Sequence, residues 1–258
     1  SYNNYKIAHV EAGLRTFNKK EPFPEELNRK ILGSIADIHF APTKISKKNL
    51  NYEGIKKNIF VTGNTIVDSV NLINKNLNKK ILKHFKDLNI LFKNPIILIT
   101  CHRRENFNNN IKIICVTLIK ISKLYPKFNL IFPLHPNPNI RNTVNKYLSN
   151  IENIFIINPL RYDHFLYLMK NSKLIISDSG GLQEECFSFN VPVILLRNYT
   201  ERPEALVSGL VNLTTINSNK IIKLTNYLFK YNFKKIINPF GNGNGSKKII
   251  KIIRKIII

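Results

Sequence analysis

Short apolar runs alternate along this chain with longer segments whose apolar residues recur at helical spacing. That alternation predicts strands of a mainly parallel sheet connected by covering helices. In the first part the pattern predicts strands at Lys6–Val10, Asp37–Phe40 and Asn58–Val61, with helices over Glu25–Ile35, Lys44–Asn51 and Thr65–Asn76. Pro95–Thr100 (PIILIT) is a continuous apolar run, as in a strand buried on both faces. It starts a regular series. Strands follow at Asn129–Pro133, Asn153–Ile157, Leu174–Ser177, Val191–Leu196 and Leu210–Leu213, and helices over Ile111–Leu124, Ile140–Leu148, Tyr162–Lys170, Leu182–Phe189, Lys220–Lys230 and Ser246–Ile258. Five or six strand–helix units in succession describe a doubly wound domain. Between Asn71 and Asn94 the composition turns to Asn and Lys and the periodicity weakens. The expected division is therefore a first domain over 1–76, a linker over 77–94, a second domain over 95–245 and a closing helix over 246–258.

Composition changes this picture little. Lys and Arg number 40 against 16 Asp and Glu, a formal net charge of +24. Such a balance raises the question of nucleic-acid binding. The basic residues are scattered beside Asn and Ile, however, without an isolated basic run or aromatics interleaved for base stacking, so a nucleic-acid partner is not expected. The charge does favour anionic ligands. Cys101, Cys115 and Cys186 form no CxxC pair, which predicts free buried thiols in a reducing, cytoplasmic setting rather than a disulfide framework or a metal site. No apolar run approaches the roughly 20 residues that span a membrane.

Two loops carry most of the chemistry. In the commonest doubly wound order the first and fourth strands are neighbours, and ligands bind beyond their carboxyl ends. The first strand of the second domain runs into Cys101-His102-Arg103-Arg104-Glu105-Asn106, and the fourth into Ser177-Asp178-Ser179-Gly180-Gly181. The former offers a histidine and two guanidinium forks. The latter offers glycines before a helix, where backbone N–H groups can approach a phosphate. Taken singly, Gly-Gly is also an ordinary tight turn and His-Arg-Arg-Glu an ordinary surface ion-pair group; their coincidence at one switch point predicts a site for a diphosphate. Glu184 and Glu185 either reach a ribose or serve as charges in a first helical turn. Neither GxGxxG nor a Walker A pattern is present, so a nicotinamide cofactor or ATP is not expected. In the first part, Glu11 ends a strand, and Glu25 and Glu26 open a helix after Pro24. The helix start accounts for one of that pair. Two remaining carboxylates suit acid–base work on a sugar.

The stretches HVEAGLRT (9–16), PFPEELNR (22–29), TGNTIVD (62–68), HRREN (102–106), PLHPNPNIR (133–141), SDSGGLQEE (177–185), TERPEA (200–205) and NPFGNG (238–243) occur in order. Together they resemble the non-hydrolysing UDP-N-acetylglucosamine 2-epimerases. The resemblance implies an α/β protein of two Rossmann-like, doubly wound domains facing a cleft, as in many glycosyltransferases. It implies interconversion of UDP-N-acetylglucosamine and UDP-N-acetylmannosamine without cofactor or metal, and commonly a homodimer. It also assigns roles: Glu11, Glu25 and His102 to catalysis; Ser179, Gly180 and Gly181 to the diphosphate; Glu185 to the ribose; Arg202 to the phosphate side; His135, Tyr162 and Phe165 to the nucleotide. Arg103, a guanidinium fork of the HRREN loop, is expected among the substrate-binding residues. Family members have strands before HVEAG, with a further catalytic aspartate. The first domain is thus expected to be incomplete, and the isolated chain to have little activity. A UDP-sugar glycosyltransferase, a hydrolysing epimerase and a non-catalytic UDP-sugar-binding remnant are the alternatives to be distinguished.

Overall fold

The computed structural model describes residues 5–77, 79–88, 92–101, 103, 109–134 and 136–257. They form two units, one of Ser1–Leu72, Tyr199–Val207 and Ile237–Ile258, the other of Ile73–Asn198 and Ser208–Ile236.

In the first unit, β1 (Ala8–Val10), β2 (Ile38–Ala41) and β3 (Ile59–Val61) lie parallel in that order, linked by α1 (Glu25–Ile35) and α2 (Lys44–Tyr52) and followed by α3 (Thr65–Lys75). β2 is buried throughout, as its central place requires. Thr43 caps α2 by accepting the Ser46 N–H at 3.1 Å, satisfying one of the donors a helix start leaves unpaired. Just past β1 the chain passes close against the start of α2. Gly13 has φ +87°, and a Cβ there would stand 2.1 Å from the Ser46 carbonyl oxygen.

His9 and His39 are register partners on β1 and β2, their rings edge to face at 6.4 Å. Burial first, then His39, Arg15 and Arg29, holds the pKa of His9 down to about 4, and burial lowers that of His39 too. The folded state therefore binds fewer protons than the unfolded one below the ordinary histidine value of about 6.5. These residues favour folding fully above that value and progressively less as the pH falls towards 4. Urea midpoints measured from pH 7 to 4.5 should fall, and fall less steeply in His9→Gln; an unchanged slope in the variant would refute the assignment.

In the second unit α4 (Lys79–Asp87) precedes β4 (Ile96–Thr100), α5 (Asn109–Leu124), β5 (Asn129–Pro133), α6 (Pro138–Leu148), β6 (Ile154–Ile157), α7 (Tyr162–Lys170), β7 (Ser172–Ser177), α8 (Leu182–Glu185) and β8 (Val193–Leu196). α9 (Pro203–Val207) belongs to the first unit, and β9 (Val211–Thr214) and α10 (Ser218–Lys230) complete the second. The strand order is β6-β5-β4-β7-β8-β9, all parallel, so the first and fourth strands are neighbours as expected. All five residues of β4 are buried, and Ile97, Ile99, Leu130, Phe132, Leu174 and Ile176 share one core with the inner faces of α5, α6 and α10.

Three features differ from the sequence expectation. The segment expected as a 77–94 linker holds α4, whose Ile81 and Phe85, four residues apart, are buried on one helical face; its Lys-rich outer face hid that spacing. The predicted helix over 182–189 is a single α-helical turn, α8, continued by a 3₁₀ turn at Cys186–Ser188. Finally, residues 199–207 and 237–245, expected in the second domain, group with the first unit. The closing helix α11 (Gly245–Ile257) does so too: Ile249, Ile252, Ile253 and Ile256 pack with Ile38, Phe40 and Phe60. Asp68 of α3 caps it, its two carboxylate oxygens accepting the N–H groups of Gly245 at 3.0 Å and Ser246 at 2.9 Å.

Candidate active site

In the second unit the switch point is built as the strand order requires. Thr100 ends β4 opposite Ser177 on β7, and their hydroxyls meet at 2.7 Å. The next residue, Asp178, is fully buried and ties the two loops together: it accepts the Arg103 backbone N–H at 3.0 Å and the Cys101 thiol at 3.3 Å. Burial and then the Asp178 charge push the Cys101 thiol well above its usual range. Cys115 is held up to about 12 by burial, and all three cysteines are free and buried.

Beyond these strand ends lies a pocket of about 310 Å³, lined among others by Thr100, Cys101, Pro133, Pro136, Tyr162, Phe165, Ser179 and Glu185. Four predicted site residues thus meet in one cavity. Its walls are mainly apolar, with a few polar groups to orient a ligand. The Tyr162 hydroxyl donates to Glu185 Oε1 at 2.7 Å. Burial, followed by the Glu185 charge, raises the Tyr162 pKa, so the phenol keeps its proton and remains a donor. Ser179 N–H is taken by Ser177 Oγ at 2.9 Å. Gly180 and Gly181 follow, half-buried, and their N–H groups donate to no carbonyl among the described residues. Glu184 and Glu185 are both buried, and Glu185 is the one that lines the cavity. His102 and His135 lie outside the described residues.

The first unit presents Glu11 just past the carboxyl end of β1. Its backbone is left-handed, φ +65°, which a residue with a side chain adopts at a cost of order 1–3 kcal/mol. Asn64, buried in the turn after β3, donates to Glu11 Oε1 at 2.5 Å. Arg202 lies 3.8 Å from the same oxygen and pairs with the buried Glu201 at 2.5 Å, and Glu201 in turn lies 3.8 Å from Arg29. Arg202, expected on the phosphate side, is part of the network around Glu11.

The adjacent acidic pair divides its work. Glu26 is wholly buried and accepts the backbone N–H groups of Thr16 at 3.1 Å and Phe17 at 3.0 Å, bracing the loop after HVEAG. Glu25 is exposed in the first turn of α1. Other motif residues are architectural. Arg15, its side chain fully buried, makes a two-pronged ion pair with Glu53 at 2.9 and 2.7 Å. Thr43 donates to Glu204 of TERPEA. The sequence reading assigned no role to Asn64, Asp178 or Glu201. A polar residue at a parallel strand's carboxyl end was the available signal in the first two cases; for Glu201 it was membership of the TERPEA stretch. Among the described residues no cluster of His, Cys, Asp or Glu could hold a metal ion, and no helix is long and apolar enough to cross a membrane.

Comparison with known proteins places this arrangement. A UDP-N-acetylglucosamine 2-epimerase of Campylobacter jejuni is 42% identical over 267 residues, covering 98% of this chain and 70% of that protein. The crystal structure of UDP-GlcNAc 2-epimerase from Neisseria meningitidis bound to UDP-GlcNAc matches with a TM-score of 0.93 and 41% identity, over 98% of this chain and 71% of that one. UDP-GlcNAc 2-epimerase from Methanocaldococcus jannaschii, in complex with UDP-GlcNAc and UDP, matches with a TM-score of 0.87 and 37% identity, over 98% and 70% of the two chains. A sequence model of the family described as UDP-N-acetylglucosamine 2-epimerase matches residues 1–254, and on these grounds the chain belongs to the UDP-N-acetylglucosamine 2-epimerase family.

Proposed function

We propose that the protein interconverts UDP-N-acetylglucosamine and UDP-N-acetylmannosamine by inverting C2 of the sugar, through elimination and re-addition of UDP. The observation that carries this reading is Glu11: a carboxylate held in a left-handed turn at a strand end, with one oxygen engaged by Asn64 and its side chain 41% exposed. Such a group suits removal of the C2 proton. As the C2–H bond breaks, its electron pair forms the C1–C2 double bond and the C1–oxygen bond to UDP opens, leaving a glycal and UDP. In the return step a UDP oxygen re-forms the bond to C1 while C2 takes a proton on its other face. Glu25, exposed where Glu26 is not, is the second acid–base group in this reading.

The nucleotide takes the pocket at the β4 and β7 ends. Phe165 and Tyr162 contact the base, Glu185 the ribose, and the Ser179–Gly181 turn the diphosphate, with Arg103 beside it. α8 is too short for a substantial helix dipole, so the Gly180 and Gly181 N–H groups, together with Arg103 and His102, supply the stabilisation of charge on departing UDP. The absence of side chains at 180 and 181 lets the backbone approach a phosphate closely. Gly180→Leu should therefore weaken UDP binding by about 10- to 100-fold, the worth of one charge-assisted hydrogen bond. Unchanged affinity by calorimetry would exclude this placement.

The test of the reaction is acceptor-free turnover in deuterated water. Interconversion with deuterium at C2 and no stoichiometric release of UDP is expected. Dependence on an acceptor would indicate a transferase, and free N-acetylmannosamine a hydrolysing epimerase.

A further inference from the structure

Two sequence motifs, TGNT at 62–65 and NPFGNG at 238–243, lie outside the residues that contact the substrate in the proposed reaction. They meet at Asn64. Its side chain is 3% exposed and uses both ends: Oδ1 accepts the Ile66 N–H at 3.1 Å, and Nδ2 donates to Glu11 Oε1 at 2.5 Å. The first of these fixes the orientation of the amide. A backbone N–H needs an oxygen, so the NH₂ must face Glu11. The backbone of Asn64 is fixed independently, its N–H donating to Phe240 O at 2.7 Å.

The contact between the two motifs is backbone on backbone. A Cβ at Gly63, φ +85°, would stand 2.9 Å from Phe240 O, and one at Gly241, φ +118°, 3.2 Å from Gly63 Cα. Only glycine permits this approach at both positions. The 238–243 segment thus sets the 63–64 turn, and the turn sets the Asn64 amide. Glu11 Oε1 faces Asn64 and Arg202, while Oε2 bonds none of the described residues.

We propose that Asn64 is a positioning residue for the epimerisation: by occupying Oε1 it turns Oε2 of Glu11 towards the sugar C2, and the 238–243 segment holds it in register. This rests on the role of Glu11 proposed above. A base misplaced by about 1 Å can lose roughly 10²-fold in rate.

Asn64→Asp is the decisive variant. It keeps the oxygen that accepts the Ile66 N–H, and so the local fold, but sets a carboxylate against Glu11. Two carboxylates in contact cannot both ionise freely and titrate as a coupled pair. Expected are a kcat lower by about 10²-fold at neutral pH, KM and UDP affinity within about threefold, and an acidic limb of the kcat profile moved to higher pH. His9, coupled to Glu11, is neutral at these pH values, and Arg202 near Glu11 limits that movement without reversing it. Gly241→Ala should lower kcat in the same sense, with UDP affinity kept. Glu11→Gln is measured alongside. A wild-type kcat and pH profile in Asn64→Asp with Glu11→Gln inactive would overturn the positioning role alone. Full turnover by Glu11→Gln would overturn the role of Glu11 and this inference with it. A lowered melting temperature with unchanged kcat would assign Asn64 to stability only, which also overturns the positioning role.

Discussion

Glu11→Gln should lower turnover by about 10²- to 10⁴-fold, the usual contribution of a positioned acid or base, while UDP binds as before. The substitution is nearly isosteric. The amide side chain it introduces can still accept from Asn64 through its carbonyl oxygen, so the left-handed turn and the Asn64 contact at 2.5 Å have no reason to rearrange. What disappears is the capacity to take the C2 proton. The loss should therefore fall on kcat and on deuterium exchange at C2 together, with little change in KM. The measurement is steady-state epimerisation beside C2 exchange followed by proton NMR, in a preparation whose wild-type counterpart turns over. Exchange at the wild-type rate in Glu11→Gln would remove Glu11 from proton transfer.

The second large effect concerns stability. Gly13→Ala should destabilise the first unit by about 3 kcal/mol or more, adding steric overlap to the cost of a left-handed alanine. The new Cβ would lie 2.1 Å from Ser46 O and 2.8 Å from its carbonyl carbon, both backbone atoms of the capped first turn of α2, with Leu50 Cγ at 2.9 Å behind them. No side-chain rotation relieves that contact, and moving α2 breaks the Thr43 cap and the Asn49–Gly13 hydrogen bond. Chemical denaturation followed by amide exchange should show protection lost in β1, β2 and α2 and kept in β4 to β9. Gly54→Ala is the control. Gly54 has a similar φ of +90° but nothing within 4 Å of its Cβ position, so it carries the strain without the overlap. Equal losses in the two variants would show that the overlap contributes nothing.

Most of the second unit was legible because its strands are continuous apolar runs. Asn129–Pro133 and Tyr162–Lys170 match their predicted bounds, and the adjacency of β4 and β7 follows from the commonest order for such a series. α4 was obscured because Ile81 and Phe85, which carry its period, stand amid lysines. The membership of residues 199–207 and 237–258 in the first unit was not legible at all. It depends on Thr43 meeting Glu204, on Asp68 meeting Gly245 and Ser246 and on Ile249 meeting Phe40, contacts between distant stretches of the chain that no local pattern records. At the site, motif residues pointed to the right loops, and Tyr162, Phe165, Ser179 and Glu185 do line one cavity. Which motif residues are structural depends on their partners in three dimensions. Glu26 and Arg15 are as polar in sequence as Glu11, and only their buried partners separate them.

The lodging of α11 against β2 and β3 has a consequence for biosynthesis. A ribosome delivers about 5–20 residues per second, and every residue of the second unit leaves it before α11 does. The nascent second unit can bury its core while the first still shows the apolar surface of Ile38, Phe40 and Phe60 that α11 will cover. The sheet of β1 to β3 is therefore made before the second unit and finished after it, and in the interval it is the surface that chaperones would engage.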